Sequence, residues 1–243
     1  MTFPALYHAH HSLHLEDLPF WLSLTRRFRG PVLELGCGTG RVLIPLAQAE
    51  NEVYGLDNES GMLHVLKDNL SEDINKAFFF QADFTAFRLA KRFGLVFLAC
   101  NTYSTLTSPT RRRLLQRSLE HRLPGGAFAA KLPNPVLLNR LPGRADPEIE
   151  EIFAHPIDGE PVQASSEWKR DEQGFHLQWH YDHLYPQGEV ERLSFAVTYS
   201  LTSAEEYRDE ILAAGFSDLK LSGDFDGSDY TPRSPHLILL ALL

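Results

Sequence analysis

Residues Pro31 to Ala47 read Pro-Val-Leu-Glu-Leu-Gly-Cys-Gly-Thr-Gly-Arg-Val-Leu-Ile-Pro-Leu-Ala. Val32, Leu33 and Leu35 have the make-up of a buried parallel strand. Gly36, Cys37, Gly38, Thr39 and Gly40 form a tight turn. Arg41 to Gln48 then read as a helix with Val42, Leu43, Leu46 and Ala47 on its apolar face. Three glycines so close together let the main chain approach a ligand more nearly than any side chain would permit. The first turn of the helix beyond them offers N–H groups that have no partner inside the helix.

A strand, a glycine turn and a helix in that order serve two ligand classes, dinucleotides and S-adenosylmethionine. The dinucleotide pattern is G-x-G-x-x-G, whose third glycine allows close helix–strand packing. Arg41 occupies that third place here, and the glycines run G-x-G-x-G instead. Glu34 stands two residues before Gly36. A carboxylate there repels a pyrophosphate and attracts the ammonium group of S-adenosylmethionine, near its cationic sulfonium. With its acid included, the stretch resembles the first motif of the class I S-adenosylmethionine-dependent methyltransferases.

The 243 residues suffice for one large domain, or for one carrying an elaborated insertion. A formal net charge of −9 argues against a large nucleic-acid footprint. Arg111-Arg112-Arg113 is the one compact basic run and reads as a solvated helix face. No apolar run reaches the length of a membrane span, and the N-terminus has no signal-peptide core, so a cytoplasmic protein without a membrane partner is expected. Cys37 and Cys100 fall at the carboxyl ends of strands that should be neighbours, but two cysteines imply no disulfide framework.

Near the N-terminus stand Tyr7, His8, His10, His11 and His14. No cysteine or carboxylate cluster completes a zinc pattern around them, so no metal is expected. Glu16 to Phe28 reads as a helix. Glu52 to Leu56 is the second strand, ending at Asp57. That acid lies about twenty residues beyond the glycine turn, the spacing at which a carboxylate meets a ribose diol. Asn58 can flank an adenine edge, and Ser60 can cap a helix from Gly61 to Leu70. Ala77 to Gln81 is the third strand.

Gly94 to Ala99 is an almost unbroken apolar fourth strand, suited to a buried parallel position. It runs into Cys100-Asn101-Thr102-Tyr103-Ser104, on the side of the sheet where open α/β folds bind ligands. A helix from Pro109 to His121 and a strand from Ala127 to Lys131 follow. Pro133, Pro135, Pro142, Gly143 and Pro147 then mark a connector incompatible with a helix or a central strand.

Four strand-like runs come next: Glu148 to His155, Val162 to Lys169, Phe175 to Tyr185 and Val190 to Leu201, a meander of hairpins. In the third, His176, Gln178, His180 and Asp182 share one face and Leu177, Trp179 and Tyr181 the other. Ala204 to Ala214 returns to helix, capped by Ser203 and closed by Gly215. Phe216 to Leu221 and His236 to Leu242 form a closing antiparallel pair.

The resemblance covers residues 30 to 131 and resumes from 203 to the end. It implies an α/β fold: a Rossmann-like, doubly wound seven-stranded sheet with a C-terminal antiparallel pair. Residues 1–131 and 203–243 would form the S-adenosylmethionine-binding domain. Residues 148–201 would form an antiparallel β insertion that acts as a lid or a homodimer contact. The insertion and Tyr7 are similar to features of small-molecule N-methyltransferases acting on amino sugars or glycine-like amines. The resemblance also implies site roles. Glu34, Gly36, Cys37, Gly38 and Gly40 would hold the methionine end of the cofactor, with Cys100 beside it, and Asp57 the ribose. Asp83 and Phe84, with Asn58 and Met62, would meet the adenine. Tyr7, Asn101 and Tyr103 are candidate catalytic residues, with His8 and His11 as further candidates near the cleft. The implied reaction is in-line methyl transfer from S-adenosylmethionine to a small-molecule acceptor, leaving S-adenosylhomocysteine. A noncatalytic S-adenosylmethionine-binding regulatory module and a dinucleotide oxidoreductase stay open as alternatives.

Overall fold

The structure, a computed structural model, describes residues 2–242. Two helices lead, α1 (Phe3–His11) and α2 (Leu18–Arg27). Strand β1 (Val32–Leu35), α3 (Leu43–Gln48), β2 (Val53–Asp57), α4 (Ser60–Asn69), β3 (Ala77–Gln81) and β4 (Phe93–Leu98) alternate after them. Next come α5 (Ser108–Glu120), β5 (Arg122–Pro133) and α6 (Pro135–Arg140). The meander is β6 (Arg144–Ala154), β7 (Pro161–Asp171), β8 (Gly174–Leu184) and β9 (Val190–Tyr199). Helix α7 (Ala204–Ala214), β10 (Asp218–Ser222) and β11 (His236–Leu242) close the chain.

The main sheet has the order β3-β2-β1-β4-β5-β11-β10. Strands β1 to β5 pair in parallel, while β11 runs antiparallel to both β5 and β10. The order reverses between β1 and β4, which opens a crevice at their carboxyl ends. Every residue of β1 and β4 is buried, because helices cover both faces of the sheet. One face packs Leu33, Leu35, Val96, Leu98 and Phe128 against α5 and α7; the other packs Val32, Leu95 and Phe97 against Trp21, Leu43 and Leu46.

The meander forms its own four-stranded antiparallel sheet, β6-β7-β8-β9. A small third core joins it to α1 through Leu6, Phe153, Val162, Ala164 and Tyr181. Pro147 falls where the β6–β7 register slips, since proline has no N–H to give the ladder.

Two local expectations need correction. The proline-rich connector contains a helix after all: α6 begins with Pro135 in its first turn, where the missing N–H costs nothing, and Asn134 Oδ1 accepts from Val136 N at 2.9 Å. Ser60 is the first residue of α4 rather than its cap; Glu59 holds the N-cap position and makes no side-chain capping bond.

Candidate functional site

The bend after β1 is shaped by φ angles that L side chains avoid: 75° at Gly36, 52° at Gly38 and 86° at Gly40. A Cβ at Gly38 would have nothing within 4 Å, so the main chain there faces open space. Gly38 N donates to Asp57 Oδ2 at 2.8 Å, and Glu59 N donates to Asp57 Oδ1 at 2.9 Å. The acid closing β2 therefore stands directly against the bend that follows β1.

Beneath the bend, Glu34 is 3 % exposed, and its Oε2 has no hydrogen-bond partner. Burial pushes its carboxyl well above the usual range, with Arg41 opposing the shift. A cation brought to the bend would favour the ionised form of this acid.

A cleft of about 1050 Å³ opens beyond the bend. Its floor carries Asp17, Arg41, Cys100, Asn101, Thr102 and Lys131. Arg41 grips Asp17 with both terminal nitrogens, at 2.6 and 2.7 Å, and reaches Cys100 Sγ at 3.2 Å. Burial opposes the charge on Asp17, but the Arg41 hydrogen bonds and charge outweigh it and hold the carboxyl below the usual range. Lys131 Nζ donates to Asn101 Oδ1 at 3.1 Å, and burial lowers its pKa. Cys100 is left-handed at φ 54°, turning the chain sharply off the end of β4.

The opposite wall is apolar. Strands β8 and β9 contribute Phe175, Leu177, Trp179, Phe195 and Val197, with Tyr199 at its edge. Helix α1 crosses the opening and contributes Phe3, Pro4, Tyr7 and His11. It is tied to the bend through His8 Nδ1 and Thr39 Oγ1, 3.0 Å apart. Burial above all raises the Tyr7 pKa, so its hydroxyl stays neutral. Burial, helped by His10, His14 and Arg41, pushes His11 down to about 3.

Residues 32–126 match the family described as "Methyltransferase domain". Cypemycin N-terminal methyltransferase from Streptomyces sp is 26% identical over 223 residues, spanning 90% of this chain and 86% of that protein. A solved S-adenosylmethionine-dependent methyltransferase from Clostridium acetobutylicum superposes with a TM-score of 0.80 at 14% identity, covering 98% of this chain and 97% of that one. Residues 32–126 thus carry a methyltransferase domain, and the whole chain has the fold of the S-adenosylmethionine-dependent methyltransferases. The S-adenosylmethionine-bound amino pentose methyltransferase CalS10 from Micromonospora echinaspora shares the fold as well. Its TM-score is 0.74 at 18% identity, with 100% of this chain and 98% of that one covered.

The bend would suit S-adenosylmethionine. An open main-chain cradle at Gly38, an acid at Asp57 and an unpartnered buried oxygen at Glu34 form a donor and acceptor set for a cationic nucleoside. Of the residues singled out from sequence, Tyr7, His11, Met62, Cys100 and Asn101 line the cleft, whereas Glu34, Gly36, Gly38, Gly40 and Asp57 are not among its lining residues. Cys37 is buried behind the bend, and Asn58 is exposed, its carbonyl accepting from Gln81 Nε2 at 3.0 Å. Asp83 is exposed, and its Oδ1 accepts from Thr85 N and Oγ1 at 2.7 and 2.8 Å; Phe84 packs against the core. Neither is among the residues lining the cleft.

Tyr103 is a correction. It is 0% exposed, with its ring against Phe128 and Tyr207 in the core, and cannot touch an acceptor in the cleft. Sequence reasoning also passed over Lys131, Trp179, Phe195 and the Asp17–Arg41 pair. Arg41 had been visible as the residue that breaks the dinucleotide glycine pattern, but its partner lies 24 positions away.

Proposed function

We propose that this methyltransferase transfers a methyl group to the amine nitrogen of a small molecule with an apolar or aromatic body. The observation that carries the reading is the two-sided cleft, with the aromatic wall of β8 and β9 facing the polar floor around Asn101 and Lys131. The names of two relatives point the same way, an N-terminus in one and an amino pentose in the other.

Glu34 and the glycine bend would hold the methionine end of S-adenosylmethionine, Asp57 its ribose, and Asp83 with Phe84 its adenine. Bound there, the cofactor supplies a methyl carbon already activated by its sulfonium. The protein's share is alignment and exclusion of water. Tyr7 and Asn101 would orient the acceptor. The apolar wall disfavours a bound ammonium ion, so the acceptor is held in the neutral form that carries a lone pair. An amine in that form needs no strong base at the moment of attack.

The test is turnover. The full chain with S-adenosylmethionine is offered matched amines, alcohols and carboxylates on the same aromatic and sugar bodies, and products are read by mass spectrometry. Methylated amines are expected, with kcat/KM rising as pH approaches the acceptor's own pKa. Methylation of alcohols or carboxylates alone overturns the acceptor class. Binding of S-adenosylhomocysteine without turnover on any acceptor favours a noncatalytic module.

A further inference from the structure

We propose that His10, His14 and Glu151 bind a divalent transition metal, zinc by preference, and thereby fasten the end of α1 to β6. His10 lies in the last turn of α1, and His14 on the turn that follows, its N–H donating to His11 O at 3.2 Å. Glu151 comes from β6, 137 positions beyond His14. The sequence therefore shows histidines without the carboxylate that completes them.

The spacing of the donor atoms fits a small ion. His14 Nε2 lies 3.2 Å from Glu151 Oε2, and His10 Nε2 lies 3.5 Å from the same oxygen. All three donors fall within 4.8 Å of one another. Tetrahedral zinc with bonds of about 2.0 to 2.2 Å places its donors about 3.4 Å apart. The outer partner is also present. His10 Nδ1 meets the buried Tyr181 hydroxyl at 3.0 Å; donating its proton there leaves the Nε2 lone pair free for an ion. His14 is half-exposed, which leaves room for water as a fourth donor.

A second cluster, His155, Asp158 and His183, is less suited. Its two imidazoles stack at 4.0 Å with 21° between their planes, and each already meets a separate oxygen of Asp158, at 2.8 and 3.3 Å. It serves here as the control. The consequence of the first site is mechanical. The metal would lock α1, with Tyr7, across the cleft and against the sheet that forms the apolar wall. His14 would hold its carbonyl on Arg41 Nη1, 2.7 Å away.

Zinc chloride titrated into the chelator-stripped full chain should bind at one equivalent and raise the unfolding temperature by mass action. Cobalt(II) bound in its place should show the visible absorption of a tetrahedral site. Glu151→Gln and His14→Ala should each weaken zinc binding at least about tenfold and remove most of the temperature rise. Asp158→Asn should change neither, and all three variants should keep the far-ultraviolet dichroism of the parent. Zinc affinity weaker than about 100 µM overturns the proposal. So does binding that survives Glu151→Gln and is lost with Asp158→Asn.

Discussion

Gly38 combines a left-handed φ with empty space where its side chain would stand. Gly38→Ala therefore clashes with nothing in the protein and costs only the left-handed strain, about 1–2 kcal/mol. If the cofactor fills that space, the same methyl group should abolish S-adenosylhomocysteine binding. Calorimetry beside thermal unfolding separates the two effects, and retained affinity would rule out the cradle. Asp57 makes a complementary case, since it already bonds Gly38 N and Glu59 N. Asp57→Ala should weaken S-adenosylhomocysteine by about 1–3 kcal/mol, the scale of losing a charged hydrogen-bonding partner. Unchanged affinity would remove its assigned role.

Helices α5 and α7 are joined by a two-pronged ion pair. Arg111 Nε meets Glu210 Oε2 at 2.7 Å, Arg111 Nη2 meets Glu210 Oε1 at 2.8 Å, and Nη1 donates to Leu106 O at 2.6 Å. Arg111 is buried and Glu210 nearly so. Glu210→Ala should destabilise the fold by about 3–5 kcal/mol in denaturant titration, because the guanidinium is left without its counter-charge. Burial opposes ionisation of Glu210, but Arg111 outweighs it and holds the carboxyl below the usual range. Its contribution is thus complete above the unfolded glutamate value of about 4.3 and disappears as pH falls through the lower folded value. The parent should lose stability over that acid window and Glu210→Ala should lose less.

This is also the scale at which the sequence was most and least readable. Both ends of α7 follow from local chemistry: Ser203 and Glu206 form a reciprocal capping box, and Gly215 closes the helix at φ 113°. The β1 bend is equally local. Tyr103 misled because Cys100 to Ser104 looked like one polar group. It enters a short 3-10 turn, Thr102–Thr105, whose roughly threefold repeat aims Thr102 and Thr105 at the cleft and Tyr103 at the core. The cleft wall on β8 and β9 was hidden for another reason. Apolar alternation shows that a strand has an inner face, but not what that face meets.

Over the whole molecule, the glycine bend follows a strand of one sheet and the aromatic wall belongs to the other. Trp179→Leu should raise the KM for the acceptor about tenfold and leave S-adenosylhomocysteine affinity unchanged, read by steady-state kinetics and calorimetry. An equal loss for both ligands would mean that the wall shapes the bend as well. Among the described residues the chain passes between the two sheets twice, through residues 134–143 going out and 200–217 coming back. Because residues 144–199 leave and rejoin the chain at those two joints and bring the aromatic wall with them, grafting that segment from another enzyme of this fold should transfer the other enzyme's acceptor preference while S-adenosylhomocysteine affinity stays unchanged.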